Sequence, residues 1–303
     1  MDGQKGETLY ALRILPIGGY CAMAEDEQSD DPRAFTNKSL PKKLVILIAG
    51  SFMNFLLGLV LIVIMFSDAE GYVVPVIDGF MESCPYESAD ALCKGDEFYS
   101  IDGKRVFLVS DVSSFIAKGD GVYDMVLIRD GKKVELNDFE FVPTEYEDGL
   151  KYGIMFSTVK ADLASTLDVS WNTAKQFSRW VWMGLEQLVA GEVNVKDMSG
   201  PVGIIDMMNT AGKEAETARG AADSILYLSA FIAINLAIMN MLPIPALDGG
   251  RVFLLLVTSA IEAVTHKKLD PKYESYVHLA GMALLLLLMA VVMYNDIVKL
   301  VVR

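Results

Sequence analysis

The sequence predicts a multi-span α-helical membrane protein that carries one small β-rich domain outside the bilayer. Hydrophobic residues make up 52% of the 303 residues, which exceeds the usual share in soluble proteins, and they concentrate in three long apolar stretches. Between the first and second stretches the pattern changes to short strand-like runs separated by Gly and Asp turns. The net charge of −14 shows that acidic soluble segments alternate with the apolar ones, and it argues against nucleic-acid binding, which needs a basic surface.

Residues 1–43 are expected to form a β-loop and a linker on the cytoplasmic side of the membrane. Within them the segment TLYALRILPIGGYCAM, residues 8–23, predicts a β-hairpin or an extended loop. Its strand-like start is interrupted by Pro16 and turned by Gly18 and Gly19. An acidic segment then leads into the first apolar stretch.

The first apolar stretch, residues 44–66, contains no charged residue and is long enough to cross a bilayer as a helix. Gly50, Asn54 and Gly58 recur in it every four residues, so they lie on one helical face and let another helix approach closely. Ordinary packing of small residues explains this pattern. The face nevertheless implies a partner helix.

Two further apolar stretches, residues 225–242 and 277–294, are also predicted to cross the membrane. Basic residues favour the cytoplasmic side, and they occur just before the first stretch and between the other two, at residues 266–272. Both of these positions are therefore expected inside the cell. The acidic segment 67–222 and the short C-terminal tail are expected outside.

Residues 67–145 are predicted to fold as the small β-rich domain, with a size of about 75 residues that is usual for one domain. The Asp-Gly pairs at residues 102–103 and 130–131 stand where tight hairpin turns belong. Cys84 and Cys93 lie in the same outer segment, where a disulfide between them and two free thiols are both open. No CxxC or Cys/His cluster predicts a cysteine-based metal site.

Residues 146–222 are predicted to connect this domain to a C-terminal membrane core at residues 223–303. Residues 162–188 are amphipathic at helical spacing. Trp180 and Trp182 suit the headgroup level of a membrane, where Trp is enriched. A helix packed on the β-rich domain is the equal alternative.

The residues with the clearest chemical potential follow the second apolar stretch, in the sequence NLAIMNMLPIPALDGG. Pro243 and Pro245 end the helix, because each lacks an amide donor and restricts the residue before it. Asp248 then lies on irregular backbone close to the membrane, where a carboxylate is costly unless it is paired or metal-bound. The amides of Asn235 and Asn240 can bind an unwound peptide backbone, or they join helices by hydrogen bonds. Asp248 is equally suited to be the N-cap of a helix over residues 249–264, and both roles can hold at once.

These residues resemble the signature of the site-2 protease family, specifically its bacterial regulator-of-sigma-E protease type, in the order Asn-x4-Asn-x2-Pro-x-Pro-x2-Leu-Asp-Gly-Gly. The outer domain is similar to a PDZ module in its blocks LCKGD, residues 92–96, and IDGKRV, residues 101–106. Further blocks that resemble the family are GETLYALRILPIGGY, SDDPRAF, SGPVGI and YND at residues 294–296. Together the matches cover nearly the whole chain.

The resemblance implies an intramembrane zinc endopeptidase of the bacterial inner membrane. Its architecture would have a core of four spans, three of them present here, a membrane-associated β-loop and one extracytoplasmic PDZ-like domain of α+β type. The implied substrates are membrane-anchored proteins or peptides, such as anti-sigma factors or signal-peptide remnants. The lipid bilayer and a peptide ligand of the PDZ-like domain are the other implied partners.

The resemblance also assigns roles to residues. Zn²⁺ would be held by Asp248 and by the two histidines of a His-Glu-x-x-His helix, whose Glu would act as general base. The loop at residues 18–20 would add an extended strand beside an unwound substrate, because a strand edge satisfies freed backbone groups. The residues that would bind substrate are Asn235, Asn240, Pro243, Pro245, Gly18, Gly19 and Tyr20.

The sequence departs from the family in one important respect, since it contains no His-Glu-x-x-His motif. Its two histidines, His266 and His278, are far apart and neither is expected to bind metal. The family places its metal-binding helix before the β-loop, so Met1 is read as a false start, a truncation or the true start of a protein without catalytic power. Ser51, where the family commonly has Pro, is a lesser departure.

The chain alone is therefore expected to retain no zinc and to hydrolyse nothing, because one carboxylate does not replace three ligands. The missing helix would pack on the small-residue face of the first apolar stretch. A non-catalytic membrane scaffold, whose PDZ-like domain captures protein termini, is the alternative function. Half of a transporter is a third, because broken helices also mark transport sites, but no internal repeat supports it.

Overall fold

The computed structural model describes residues 2–5, 8–11, 34–147, 149–192, 200–215, 217–266 and 272–302. The chain forms two compact units, Met1–Leu47 and Ile48–Arg303. Its helices are α1 (Leu40–Phe66), α2 (Val109–Ile116), α3 (Leu163–Ala190), α4 (Pro201–Glu214), α5 (Ala218–Asn240), α6 (Asp248–Thr265) and α7 (Lys272–Val302). Its strands are β1 (Asp2–Lys5), β2 (Thr8–Ala11), β3 (Gly71–Phe80), β4 (Glu97–Ile101), β5 (Lys104–Arg105), β6 (Val122–Arg129), β7 (Lys132–Glu140), β8 (Thr144–Tyr146), β9 (Gly149–Lys151) and β10 (Ile154–Lys160).

In the first unit, β1 and β2 pair as an antiparallel hairpin, and a single 3-10 turn precedes α1. The predicted loop at residues 8–23 is described only as far as Ala11, where β2 ends. Gly18, Gly19 and Tyr20 lie outside the described residues, so their assignment to substrate stays a prediction.

Among the described residues, three helices are long and apolar enough to cross a membrane, namely α1, α5 and the Tyr276–Lys299 part of α7. Each overlaps one of the three predicted apolar stretches. Helix α5 begins several residues before its stretch, because the Thr217 hydroxyl accepts a hydrogen bond from the Gly220 N–H at 3.0 Å and caps the helix. The prediction of a membrane protein with three such helices and a β-rich part is confirmed.

The β-rich domain is an antiparallel sheet with the strand order β10-β3-β4-β6-β7, and β5 pairs beside β4. Residues 102–103 link β4 to β5, and residues 130–131 link β6 to β7. All four turn residues have positive φ, as tight two-residue hairpins require. Phe98 and Leu127 of the sheet and Ile116 of α2 belong to the buried core, so this helix covers the sheet.

The sheet continues past residue 145, where the predicted domain ends. Strand β10 pairs with β3, so that Ile154 lies opposite Phe80 and Lys160 lies opposite Gly71. Because these two strands are far apart in the sequence, no local pattern reveals that they pair. The pairing also places the start of α3, which follows β10 directly, beside the end of α1, which precedes β3.

A buried ion pair stabilises the LCKGD block of the domain. Asp96 is 0% exposed and accepts hydrogen bonds from Nε and Nη2 of Arg129, each at 2.8 Å. The Cys93 N–H donates to the same carboxylate at 2.8 Å. The hydrogen bonds from the guanidinium to Asp96 raise the pKa of Arg129 against the opposing effect of burial.

Cys84 and Cys93 are free thiols, which is the second of the two alternatives left open for them. The Cys93 thiol donates to the Ser88 carbonyl at 3.4 Å, whereas the Cys84 sulphur lies 3.8 Å from the Tyr152 carbonyl oxygen. The two thiols thus have different neighbours.

Helix α3 packs on the β-rich domain through the buried side chain of Asp111, which is 2% exposed. Its Oδ1 accepts hydrogen bonds from the Gln176 amide at 2.6 Å and from the Arg179 guanidinium. Its Oδ2 accepts the Phe107 and Leu108 N–H groups at 2.8 and 3.1 Å. The predicted amphipathic helix is therefore packed on the domain.

A second face of α3 packs on the candidate spans. The Phe177 ring lies 4.9 Å from that of Tyr227 and 5.3 Å from that of Phe231, both on α5. The Trp171 ring lies 6.0 Å from that of Phe55 on α1. Helix α3 thus stands between the domain and two of the spans, and a headgroup location of its tryptophans stays a prediction.

Helix α4 is capped by a residue of the last helix. Asp296 of α7 is 2% exposed, and its carboxylate accepts the Gly200 and Gly203 N–H groups at 2.9 and 2.8 Å. These amides belong to the first turn of α4, which carries a partial positive charge. The capping carboxylate joins the SGPVGI and YND blocks, which are far apart in the sequence.

Candidate metal-ligand site

Helix α5 ends at Asn240, just before the two prolines, as predicted. The chain stays irregular from residue 241 to 247 and then enters α6 at Asp248. Pro243 and Pro245 account for the break, because neither can donate the amide hydrogen bond that would continue the helix. We call residues 241–247 the proline loop.

Three glycines let the proline loop lie directly against two helices. Gly249 and Gly250 are buried at the start of α6, and a Cβ atom on Gly249 would overlap the Met241 carbonyl. A Cβ atom on Gly250 would lie 2.7 Å from the Ile244 carbonyl carbon, and one on Gly281 of α7 would lie 2.8 Å from the Pro245 carbonyl oxygen. No side chain fits at these distances, so the two glycines after Asp248 are required by close packing.

Asp248 is the first residue of α6, and Leu247 is its N-cap. The N-cap alternative for Asp248 is therefore wrong, although a carboxylate in the first turn still interacts favourably with the helix dipole. The side chain is half-buried and forms no capping hydrogen bond. No described residue donates a hydrogen bond to it or forms an ion pair with it.

The carboxylate of Asp248 points towards α1. Its Oδ2 lies 3.5 Å from the position that a Cβ atom on Gly50 would occupy, and no other described atom outside the adjoining part of α1 lies within 4 Å of that position. Gly50 is itself exposed. The space in front of Asp248 is thus bordered by the small-residue face of α1 and remains accessible.

The same face of α1 meets a partner helix within this chain. At Gly58 a Cβ atom would lie 2.6 Å from Cγ1 of Ile234 and 3.1 Å from the Ala230 carbonyl oxygen, both on α5. The implied partner is therefore α5 at this end of the face. The expectation that a missing helix packs along the whole face is wrong for Gly58 and stays open for Gly50.

Asn235 and Asn240 both lie on α5 and are half-buried. In the described part of the chain neither amide has a hydrogen-bond partner. They are five positions apart and so point roughly 140° apart around the helix, which means that they do not share one face. Asn240 directly precedes the proline loop in the sequence, and Asn235 lies more than one helical turn before it.

Sequence reasoning missed an apolar groove of about 330 Å³ beside this site. It lies between α1, α5 and α3, three helices that only the tertiary structure brings together. Ser51, next to Gly50, is 3% exposed, and its hydroxyl has no partner among the described residues. The residues that line the groove are Ile48, Ser51, Phe52, Phe55, Trp182, Ala237, Ile238, Met241 and Leu242.

Sequence reasoning also missed a contact from α7 to the proline loop. The Ala246 N–H donates a hydrogen bond to Nδ1 of His278 at 3.1 Å. The sequence offered no signal for this contact, since His278 looked like an ordinary residue of the last span.

The described residues contain no group of three or more His, Cys, Asp or Glu side chains that could hold a metal ion. Asp248 is therefore a single candidate ligand in the parts of the chain that the structure covers.

The sequence model of peptidase family M50 matches residues 1–288 of the chain. A protein of Clostridium acetobutylicum, provisionally named a zinc metalloprotease, is 37% identical over 98% of this chain and 85% of its own length. A similarly named protein of Clostridium perfringens is 32% identical over 97% of this chain and 84% of its own length. The zinc metalloprotease RasP of Geobacillus kaustophilus is 34% identical over 88% of this chain and 61% of its own length.

Proposed function

The chain belongs to peptidase family M50, the site-2 proteases, and we propose that it acts in intramembrane proteolysis as part of a zinc endopeptidase. One observation carries the proposal. The Asp248 carboxylate is half-buried next to the candidate spans, has no partner among the described residues and faces the exposed Gly50. A carboxylate near a membrane is energetically unfavourable unless it is paired or binds a ligand such as a metal ion.

In this proposal Asp248 is one of three protein ligands of zinc. Its chemistry fits, because Zn²⁺ binds carboxylate oxygens and a catalytic site keeps one position open. The ion, when bound, would polarise the scissile carbonyl and activate water. The two histidines and the general base belong to a His-Glu-x-x-His helix, which these 303 residues do not contain. The chain by itself is thus inactive.

The rest of the site prepares the substrate. A membrane-anchored substrate must unwind before its backbone can be cleaved, and its freed amide and carbonyl groups then need partners. The side chains of Asn235 and Asn240, which have no hydrogen-bond partner among the described residues, suit this role, while Pro243 and Pro245 keep the neighbouring backbone open for contact. The groove beside Ser51 offers space for apolar side chains of the same segment.

We further propose a bacterial cell membrane location, with a four-span core and with the β-rich domain outside the cytoplasm as a PDZ-like peptide-binding module. The substrates would be anti-sigma factors or signal-peptide remnants. The resemblance of the motif blocks supports these points.

The test is zinc retention. The chain is purified in mild detergent, alone and together with a co-expressed transmembrane segment that bears His-Glu-x-x-His, and zinc is measured by mass spectrometry. We expect no stoichiometric zinc in the chain alone and stoichiometric zinc in the complex. Asp248→Ala removes it, whereas the control Glu262→Gln, near the other end of α6, keeps it.

Cleavage of a transmembrane reporter by the zinc-loaded complex then tests the reaction. Stoichiometric zinc in the chain alone that disappears in Asp248→Ala would contradict the proposal that partner ligands are needed. A complex that binds neither zinc nor reporter, but captures peptide termini through its β-rich domain, would support the scaffold alternative instead.

A further inference from the structure

The proline loop is positioned by two residues of α7. Nδ1 of His278 accepts the Ala246 N–H at 3.1 Å. Gly281 lies against Pro245, since a Cβ atom there would be 2.8 Å from the Pro245 carbonyl carbon. His278 and Gly281 are three positions apart and so are neighbours on one face of α7. The helix therefore contacts two consecutive residues of the loop.

Ala246 has an unfavourable backbone conformation. Its φ is +77°, in the left-handed region that residues with a Cβ atom rarely adopt. Such a conformation persists only where the surrounding contacts impose it. The contacts that can do so are the hydrogen bond between the His278 imidazole and the Ala246 amide and the packing of α7 against Pro245.

This backbone conformation decides where Asp248 points. Ala246 is two residues before Asp248, and α6 starts immediately after the turn. A return of Ala246 to a negative φ would redirect the chain that enters α6. The Asp248 carboxylate would then leave its position near Gly50 of α1.

We propose that His278 is a positioning residue for the Asp248 site. Its imidazole does not bind metal in this proposal; it accepts the Ala246 amide and so maintains the left-handed turn that directs the carboxylate towards α1. An imidazole that accepts at Nδ1 carries its proton at Nε2. The role in zinc binding rests on the proposed function, whereas the role in fixing the loop does not.

The first test measures the loop without zinc or cleavage. In His278→Asn the side-chain oxygen occupies the place of Nδ1, whereas His278→Gln puts its polar atoms farther out and His278→Phe has no acceptor. Hydrogen–deuterium exchange of the peptide over residues 241–247 should be about tenfold faster in the Phe and Gln variants. It should stay near the original rate in the Asn variant and in the control His266→Asn.

The second test uses Ala246→Gly, because glycine adopts a positive φ without strain. In the Ala246→Gly background, His278→Phe should have little effect on zinc retention by the complex of the chain with the co-expressed His-Glu-x-x-His segment. In the Ala246 background it should lower zinc affinity about tenfold and reduce kcat with little change in KM.

Two outcomes would overturn the inference. One is unchanged exchange over residues 241–247 in His278→Phe, and the other is faster exchange with unaltered zinc affinity. If Asp248→Ala itself has no effect on zinc in the complex, the proposed function fails. The exchange measurement would still decide whether His278 fixes the loop.

Discussion

Asp111 of the β-rich domain and Asp248 of the membrane core are both partly or fully buried, yet among the described residues only Asp111 has hydrogen-bond partners. Asp111 accepts hydrogen bonds from two side chains of α3 and from two backbone amides. Asp248 has no bonded partner among the described residues. The domain uses its buried carboxylate to join structural elements, whereas the membrane core leaves one available.

The membrane setting does not explain this difference. Asp296 lies in α7, within a candidate span, and it is as well satisfied as Asp111 because it binds the first turn of α4. A carboxylate of this core can therefore find donors when it stabilises the fold. The contrast with Asp296 fits the proposed role of Asp248 as a metal ligand.

Removing each carboxylate separately tests this difference between Asp111 and Asp248. Asp111→Ala should cost about 3–5 kcal/mol of unfolding free energy, because it leaves the Arg179 guanidinium buried without its anion. Asp248→Ala should change the stability of the chain alone by no more than about 0.5 kcal/mol. Denaturant titration of the detergent-solubilised chain measures both. Equal losses would show that Asp248 is a structural residue.

The packing around Asp248 gives a second test. Gly250→Ala should destabilise the chain by about 1–3 kcal/mol, because the added methyl group meets the Ile244 backbone. The matched control is Gly184→Ala in α3, where no described atom outside the adjoining part of the helix lies within 4 Å of the new methyl group. That change should stabilise the chain by about 0.5–1 kcal/mol, since alanine is the better helix residue. If both substitutions changed the stability in the same direction, close packing would not be the reason for a glycine at position 250.

The smallest expected effect concerns an exposed carboxylate. Asp162 caps α3, and the hydrogen bond from the Ser165 N–H lowers its pKa. Its charged form therefore stabilises the folded chain above the ordinary Asp pKa of about 3.9, and this contribution is lost as the pH falls through the lowered value. In Asp162→Asn, which can still cap, the stability should depend less on pH in the acid range. An unchanged acid profile would contradict this role.

Local patterns predicted what depends on local sequence. The three apolar stretches coincide with the three long apolar helices, and the Asp-Gly pairs form the tight turns, because hydropathy and turn geometry are read from neighbouring residues. The break after Asn240 followed from two prolines. The resemblance to the site-2 proteases, carried by specific motif blocks, is confirmed by the family match.

Long-range contacts could not be predicted in this way. The pairing of β10 with β3, the cap of α4 by Asp296 and the contact of His278 with Ala246 each join residues distant in the sequence. The N-cap alternative for Asp248 failed for a related reason, since the proline loop brings Leu247 into that position. At the candidate site, the assignment of Asp248 as a metal ligand stays a prediction, and no sequence pattern indicated the α7 residues that contact the proline loop.

Helix α3 has a mechanical consequence for the whole second unit. It is bonded to the β-rich domain at Asp111 and packed on α5 at Phe177, and α5 leads directly to the proline loop. The domain therefore cannot tilt relative to α5 without breaking the Asp111–Arg179 ion pair or moving a candidate membrane span with it. A force on the domain would be transmitted through α3 and α5 towards the residues around Asp248.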